Sequence, residues 1–113
     1  MSIVNLQAMH MEALQRAIVI KPEVDNFEIA LAKSLLINVI IRSMEKKIVN
    51  FVYYRSNGDL VEAYATTNPL IVGKDGMKVK PSTHRKNTTL FYDVEQEKWK
   101  AFRWENLIGI LNY

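Results

Sequence analysis

The sequence contains no cysteine, and it has only two histidines, four glycines and three prolines among its 113 residues. Without cysteine, disulfide bonds and thiolate metal sites are excluded. The two histidines, His10 and His84, lie far apart in the sequence and have no carboxylates at ligand spacing, so we expect no metal centre. The glycines are scattered, and neither a P-loop nor a Gly-x-Gly-x-x-Gly motif is present.

Catalytic chemistry has equally little support. Ser82, His84 and Asp75 are the residue types of a hydrolytic triad, but the sequence has no nucleophile elbow and no ordered spacing for them. We therefore expect a protein that is not an enzyme and that carries no cofactor.

Long apolar runs are also missing. The most apolar stretch, residues 29–41, is interrupted by Lys33, Ser34 and Asn38 and is too short for a membrane span, which needs about 20 residues. Residues 1–20 lack the basic start and apolar centre of a signal peptide. We expect a cytoplasmic protein without membrane association.

The composition is that of an ordinary globular protein, with 49% hydrophobic and 24% charged residues, and the length predicts a single domain over residues 1–113. The net charge is +3, and its distribution is uneven. The whole basic excess lies in residues 73–88, called here the basic segment. This segment contains five cations and one acidic residue, Asp75. These cations are Lys74, Lys78, Lys80, Arg85 and Lys86.

Two helices are predicted in residues 1–47. The first covers residues 3–19, with Ser2 as its N-cap and with Lys21-Pro22 as its end. Its apolar residues recur at the helical period: Val4, Met11, Leu14 and Ile18. The second helix begins after Asp25, which has the capping-box spacing to Glu28, and runs to about Lys47.

The second helix is apolar around most of its circumference, apart from a narrow stripe of Ser34, Asn38, Arg42 and Glu45. Such a helix must be covered on two sides, by the first helix and a sheet or by a second subunit. The β-branched residues around Ile37–Ile41 leave a strand as the alternative for that stretch.

From residue 48 the pattern changes to short strands. Ile48–Arg55 and Leu60–Thr67 flank Asn57-Gly58, which predicts a hairpin with a two-residue type I′ turn. That loop pairs Phe51 with Tyr64 and Val52 with Ala63. Further strands are predicted at Leu70–Val72, near Met77–Val79, at Thr89–Val94, at Trp99–Trp104 and at Ile108–Leu111, with one helical turn over residues 104–107.

These elements predict an α+β fold, in which an N-terminal helical hairpin (1–47) precedes a small antiparallel SH3-like β-barrel (48–113). Several stretches of residues 48–110 also resemble a family of small WYL-like or SH3 β-barrel proteins of gut Bacteroidetes and their phages. They are residues 49–51, the turn 57–59, residues 65–71, residues 91–95 and residues 99–108.

The chain departs from that family at two points: it has no Trp-Tyr-Leu tripeptide, and Ala101 stands where serine is expected. The resemblance implies the barrel fold. By analogy with larger WYL-type regulators it also implies binding of a ligand or a nucleic acid, and it implies no enzymatic activity.

The basic segment is the first candidate site. Cations, hydroxyls and turn backbone together suit phosphate, because they supply both charge and directed donors. A solvated surface loop is the competing interpretation. The candidate residues in this segment are Lys78, Lys80, Ser82, Thr83, His84, Arg85 and Lys86.

The strand aromatics and Arg103 are the second candidate. We expect Phe51, Phe91 and Phe102 in the core, and we consider four other aromatics as groove residues that stack on bases, with burial in the core as the alternative. These four are Tyr54, Tyr92, Trp99 and Trp104. For Arg103 we expect an ion pair with Asp93 or Glu105, with contact to a ligand anion as the alternative.

The sequence thus predicts a non-enzymatic binding module for nucleic acid or a nucleotide-like anion, with Lys78, Lys80, Ser82, Thr83, His84, Arg85, Lys86, Arg103, Tyr54 and Trp99 as ligand-binding residues. The alternative is a protein-interaction or homo-oligomerisation module that uses the apolar surface of the second helix, together with the flexible side chains of Met9, Met11 and Met44.

Overall fold

The computed structural model describes residues 3–113, with side chains from His10 onward. Two helices precede a five-stranded antiparallel sheet with strand order β4-β3-β2-β1-β5, so the predicted α+β fold is confirmed. The elements are α1 (Ile3–Val24), α2 (Phe27–Met44), β1 (Val49–Tyr54), β2 (Leu60–Thr66), α3 (Pro69–Lys78), β3 (Thr88–Asp93), β4 (Lys98–Arg103), a 3₁₀ turn (Trp104–Asn106) and β5 (Leu107–Asn112).

The predicted end of α1 is wrong, because the helix continues through Pro22 to Val24. Proline removes one helical hydrogen bond, to the Ile18 carbonyl, but it does so in the last turn, where few bonds depend on it. The amide of Asp25 closes that turn by donating to the Lys21 carbonyl at 2.7 Å. Asp25 itself has a left-handed φ of 52° and belongs to the end of α1.

The N-cap of α2 is therefore Asn26 and not Asp25. Its Oδ1 accepts a hydrogen bond from the Ile29 amide at 3.0 Å, which satisfies one of the free amides of the first turn. The helix ends at Met44, earlier than predicted, and its β-branched residues are helical. The predicted N-cap Ser2 lies outside the described residues. Within residues 3–113 no helix is long and apolar enough to cross a membrane.

The two helices pack through small side chains. Ala13, Ala17 and Ala30 are fully buried, and their size allows the helix axes to approach closely. Ser34, predicted as part of a polar stripe, is buried in this contact, where its Oγ donates to the Ala13 carbonyl at 2.7 Å.

The apolar residues whose spacing predicted α1 do not form its buried face. Met11, Leu14 and Ile18 are 56%, 42% and 64% exposed. The side chain of Val4 lies outside the described residues. The buried face of α1 is instead formed by Ala13, Ala17 and Ile20.

Four aromatic rings fill the barrel. Phe51, Tyr53, Phe91 and Phe102 are buried, and their ring centroids are 5.2–6.2 Å apart. The predicted core phenylalanines are therefore confirmed. Ile37, Ile40 and Met44 of α2 belong to the same cluster, so α2 is covered by α1 on one side and by the barrel on the other.

The first hairpin has a three-residue loop, one residue longer than predicted. The Gly58 amide donates to the Arg55 carbonyl at 2.9 Å, and Gly58 has a φ of 92°. This is a type I turn followed by a left-handed glycine. Phe51 consequently pairs with Ala63, whereas the predicted two-residue loop paired it with Tyr64. With this register, the hairpin of β1 and β2 has one face buried in the barrel and one face directed outward.

Residues 69–78 are helical, so the strands predicted at Leu70–Val72 and near Met77–Val79 are wrong. Asn68 caps α3 by accepting from the Leu70 amide at 2.8 Å, and Pro69 occupies the first turn, where its missing amide costs nothing. Gly73, with a φ of 86°, kinks the helix. The second hairpin, the 3₁₀ turn and the last strand are confirmed, each within two residues of the predicted bounds.

Candidate anion-binding site

A cavity of about 380 Å³ lies between the end of β1 and the outer edge of β4, and we call it the barrel seam. β4 and β5 are at opposite edges of the sheet, so the barrel is not closed by a strand pair at this place. The seam is lined by Tyr53, Tyr54, Arg55, Ser56, Arg85, Thr88, Lys100, Ala101, Phe102, Arg103 and Asn106.

Four of these residues are cations: Arg55, Arg85, Lys100 and Arg103. None of the residues that line the seam is a carboxylate. Arg55 lies at the hairpin turn, where its amide donates to the Asp59 carbonyl at 2.8 Å. The loop that carries Arg85 is held to β3 by a 2.6 Å hydrogen bond from Thr88 Oγ1 to the Arg85 carbonyl.

Lys100 is the least exposed cation of the seam. It lies two residues before Phe102 on β4, so strand alternation turns it toward the barrel interior. Its Nζ is 3.5 Å from Asp93 Oδ2, the side chains are 17% and 4% exposed, and the ammonium makes no hydrogen bond. The other oxygen of Asp93 accepts from the amides of Glu95 and Gln96. The cation at the base of the seam is thus only partly compensated.

Tyr53 forms part of the inner wall of the seam. Burial raises the pKa of its phenol, Arg55 acts in the opposite direction, and the charge of Asp93 raises the pKa further. The phenol therefore stays protonated at neutral pH and can serve as a hydrogen-bond donor.

A second cavity, of about 430 Å³, lies against the loop before β3, and we call it the loop groove. It is lined by Ile41, Thr67, Lys80, Pro81, Ser82, His84, Thr88, Thr89, Leu90, Trp99 and Trp104. Thr88 lines both cavities, so the loop groove and the barrel seam are neighbours.

A third depression, of about 280 Å³, is lined by Glu23, Arg85, Lys86, Asn87, Arg103 and Glu105. Arg85 and Arg103 line both this depression and the seam, so Glu23 and Glu105 lie near them on the side of the depression, whereas the lining of the seam itself contains no carboxylate. In the part of the chain that the structure describes, no group of three His, Asp or Glu side chains is placed to hold a metal ion.

The structure divides the predicted site residues among these cavities. Tyr54, Arg85 and Arg103 line the seam. Lys80, Ser82, His84 and Trp99 line the loop groove, and Lys86 lines the third depression. Lys78 and Thr83 are exposed and line none of the three.

The predicted ion pair of Arg103 is wrong. Asp93 pairs with Lys100 instead, and Arg103 is exposed on the seam. Tyr92, considered as a groove residue, is buried, whereas Trp99 and Trp104 are half-buried in the groove.

Sequence reasoning missed Arg55 and Lys100. The sequence did offer an indication of Arg55, because this residue lies at the start of the predicted Asn57-Gly58 hairpin turn. Lys100 shares its strand face with Phe102 by alternation, but only the structure shows that its ammonium reaches Asp93, whose backbone pairs with Lys98.

A barrel with cation-lined and aromatic-lined cavities is a small binding module of SH3-like fold. A family model described as WYL_2, Sm-like SH3 β-barrel fold, matches residues 37–108. Because this match covers more than half of the chain, the chain belongs to the WYL_2 family. Comparison with curated proteins and with solved structures gave no significant match.

Proposed function

We propose that this protein is a non-enzymatic binding module that holds a phosphate-bearing anion, a nucleic acid or a nucleotide, in the barrel seam. The observation that carries the proposal is the convergence of Arg55, Arg85, Lys100 and Arg103 on one cavity whose lining contains no carboxylate. Like charges at short range repel one another, and a bound anion removes that repulsion.

The chemistry of the lining suits phosphate. Three of the four cations are arginines, which form paired hydrogen bonds to phosphate oxygens. Ser56 and Asn106 add neutral donors to the lining. Tyr54 is 44% exposed at the rim, where its ring offers an apolar surface beside the charges.

Fluorescence anisotropy with a labelled single-stranded oligonucleotide tests the proposal. If about four phosphates are contacted, raising the salt from about 50 mM to about 200 mM weakens binding by about 50-fold. Arg103→Glu is expected to weaken binding by at least about tenfold at the lower salt concentration, because it removes one phosphate contact and adds repulsion.

Lys74→Glu is the matched control, since it makes the same charge change in the basic segment at an exposed residue that lines none of the three cavities. Equal losses in the two variants would show that net charge alone acts and that the seam has no special role. Absence of any binding at low salt would refute the nucleic-acid function.

A second candidate function is self-association through the helices. Met11, Leu14 and Ile18 are exposed, and their spacing of three and four residues is that of a coiled-coil seam. This surface lies on α1, while α2, the helix predicted for this role, also exposes large apolar side chains, those of Phe27, Ile29 and Leu35. Met44, one of the methionines considered for it, is buried in the core, and Met9 lies outside the residues with described side chains.

Light scattering at high protein concentration tests this candidate. We expect a dimer for the natural sequence and a monomer for Leu14→Lys, because an ammonium buried between two paired α1 helices is unfavourable. Gln15→Lys, at the adjacent exposed residue, is expected to remain dimeric. A strictly monomeric natural protein would exclude self-association.

We propose a cytoplasmic location, and an origin among Bacteroidetes or their phages in line with the sequence resemblance. The proposed origin can be checked from the genomic neighbourhood of the gene, which is expected to be a phage operon or a regulator cluster.

A further inference from the structure

The loop groove differs in chemistry from the barrel seam beside it. Its walls include the indoles of Trp99 and Trp104 and the apolar side chains of Ile41 and Leu90, whereas charge dominates the seam. Thr88 lines both cavities, so a ligand that occupies both has to extend past this residue. Such a ligand must join a flat apolar part to an anionic part.

The two indoles are fixed by hydrogen bonds inside the protein. Trp99 Nε1 donates to the Gly76 carbonyl at 2.8 Å, and Trp104 Nε1 donates to Thr89 Oγ1 at 3.1 Å. Because each indole has a single donor, neither ring has a polar group left for a ligand. What the rings offer is apolar surface, held rigidly, which is the property of a stacking platform.

The rim of the groove is polar. Ser82, His84 and Thr67 line it with hydroxyl and imidazole groups, and the Lys80 ammonium lies 5.3 Å from the centre of the Trp99 ring. An apolar wall with a few polar groups, in a cavity of about 430 Å³, is the usual construction of a small-ligand site.

We infer that the loop groove takes an unpaired nucleobase whose phosphate lies in the barrel seam. The ligand is then a nucleotide with an accessible base, either free or within a single strand. A duplex is excluded, because its bases remain paired and stacked within the helix. This inference rests on the proposed function and narrows its ligand class.

The protein carries its own reporter for this groove. Trp99 and Trp104 are the only tryptophans in the sequence, and both line the groove. A base that stacks on either ring quenches tryptophan fluorescence, whereas an anion that occupies only the seam does not contact these rings.

The experiment compares three probes with equal numbers of phosphates per strand: a single-stranded thymidine decamer, an abasic decamer and the duplex of the thymidine decamer. We expect the thymidine strand to quench the fluorescence and to bind about 5-fold to about 150-fold more tightly than the abasic strand. The duplex is expected to bind no better than the abasic strand and to cause no quenching.

Uridine monophosphate and inorganic phosphate separate the two sources of the ligand. Quenching by uridine monophosphate at concentrations comparable to the decamer identifies a free nucleotide as sufficient, and quenching by the strand alone identifies single-stranded nucleic acid. Both results support an unpaired base. Inorganic phosphate is expected to leave the fluorescence unchanged.

Trp99→Phe and Trp104→Phe each leave one tryptophan as the sole reporter and retain an aromatic ring in the groove. Quenching is expected in at least one of the two variants. If the abasic and thymidine strands bind equally and no probe quenches, the base groove is refuted while anion binding in the seam stands. If no probe binds, the proposed function fails, and the inference fails with it.

Discussion

Tyr53 shows how burial and charge act on a single side chain of the seam. Its pKa is raised by burial, so the folded protein holds the phenol proton more tightly than the unfolded chain does. The stability that this contributes is fully present below the ordinary pKa of about 10 and is lost as the pH rises through the raised value.

Arg55→Gln is expected to raise the pKa of Tyr53 further, because the Arg55 charge favours the phenolate. Tyrosinate absorbance, recorded during an alkaline titration and corrected with Tyr53→Phe, measures the effect. An unchanged or lower pKa in the Arg55 variant would contradict the arrangement of the two side chains.

Arg16 joins both helices to the barrel. Its Nη1 donates to the Ser34 carbonyl, to Ser34 Oγ and to Asn38 Oδ1 at 3.0, 3.2 and 2.7 Å, and the guanidinium lies 5.4 Å from the Trp104 ring centre. Burial lowers the pKa of Arg16, and the charge of Glu12 partly opposes this shift. The guanidinium nevertheless stays protonated at every pH at which a protein is folded.

Arg16→Met keeps the apolar stem and removes the guanidinium. We expect a loss of about 2 kcal/mol in the free energy of unfolding, the usual effect of losing hydrogen bonds from a charged group. Urea denaturation measures it. Gln15→Met, at the neighbouring exposed residue, is expected to change stability by less than about 0.5 kcal/mol, and equal effects would show that the Arg16 contacts add nothing.

At the scale of elements, Gly58 and Gly109 form a natural comparison. A Cβ added at either residue meets no atom within 4 Å, but Gly58 alone has a positive φ, of 92°. Gly58→Ala is expected to destabilise the protein by about 1 kcal/mol through backbone strain, whereas Gly109→Ala, in β5, is expected to be neutral or mildly stabilising. Thermal unfolding distinguishes them, and the reverse order would contradict the described turn.

The same turn shows how much of the fold the sequence could predict. Asn57-Gly58 marked the hairpin correctly, but the loop length depends on which side chains the barrel buries. With Phe51 opposite Ala63, the large ring has space on the inner face. A pairing with Tyr64 would have placed two rings opposite each other, and no local pattern decides between these registers.

The helix at residues 69–78 was mispredicted, and the face by which α1 packs was not indicated by its apolar period. Leu70-Ile71-Val72 has strand propensity, but Asn68 and Pro69 form a helix start, and Leu70 is 93% exposed with no strand beside it. For α1 the apolar period was real, but it describes the exposed face. The tight contact with α2 requires alanine, which a hydrophobicity pattern undervalues.

For the whole molecule, the candidate site was predictable only in part. The charge excess of residues 73–88 includes Arg85, which lines the seam. Lys78, in the same segment, lines none of the three cavities. Arg55 and Lys100 reach the seam from other strands, which net charge along the chain does not indicate.

The four cations of the seam have a consequence for global stability if they bind an anion. Pyrophosphate at about 100 times its dissociation constant should stabilise the protein by about 2.7 kcal/mol, which raises the melting temperature by roughly 10 °C for a domain of this size. Arg103→Gln should reduce this shift, and sodium chloride of matched ionic strength should not reproduce it. Calorimetry provides the measurement, and equal shifts with chloride would refute a specific anion site.

Most of the residues that line the seam and the groove belong to one continuous stretch, residues 80–106, while the helical pair and β2 contribute little to either cavity. Ligand preference can therefore diverge among relatives by exchange of a single cassette, with the rest of the chain kept as an unchanged scaffold. Two proteins with nearly identical helices and first hairpins would then recognise different molecules.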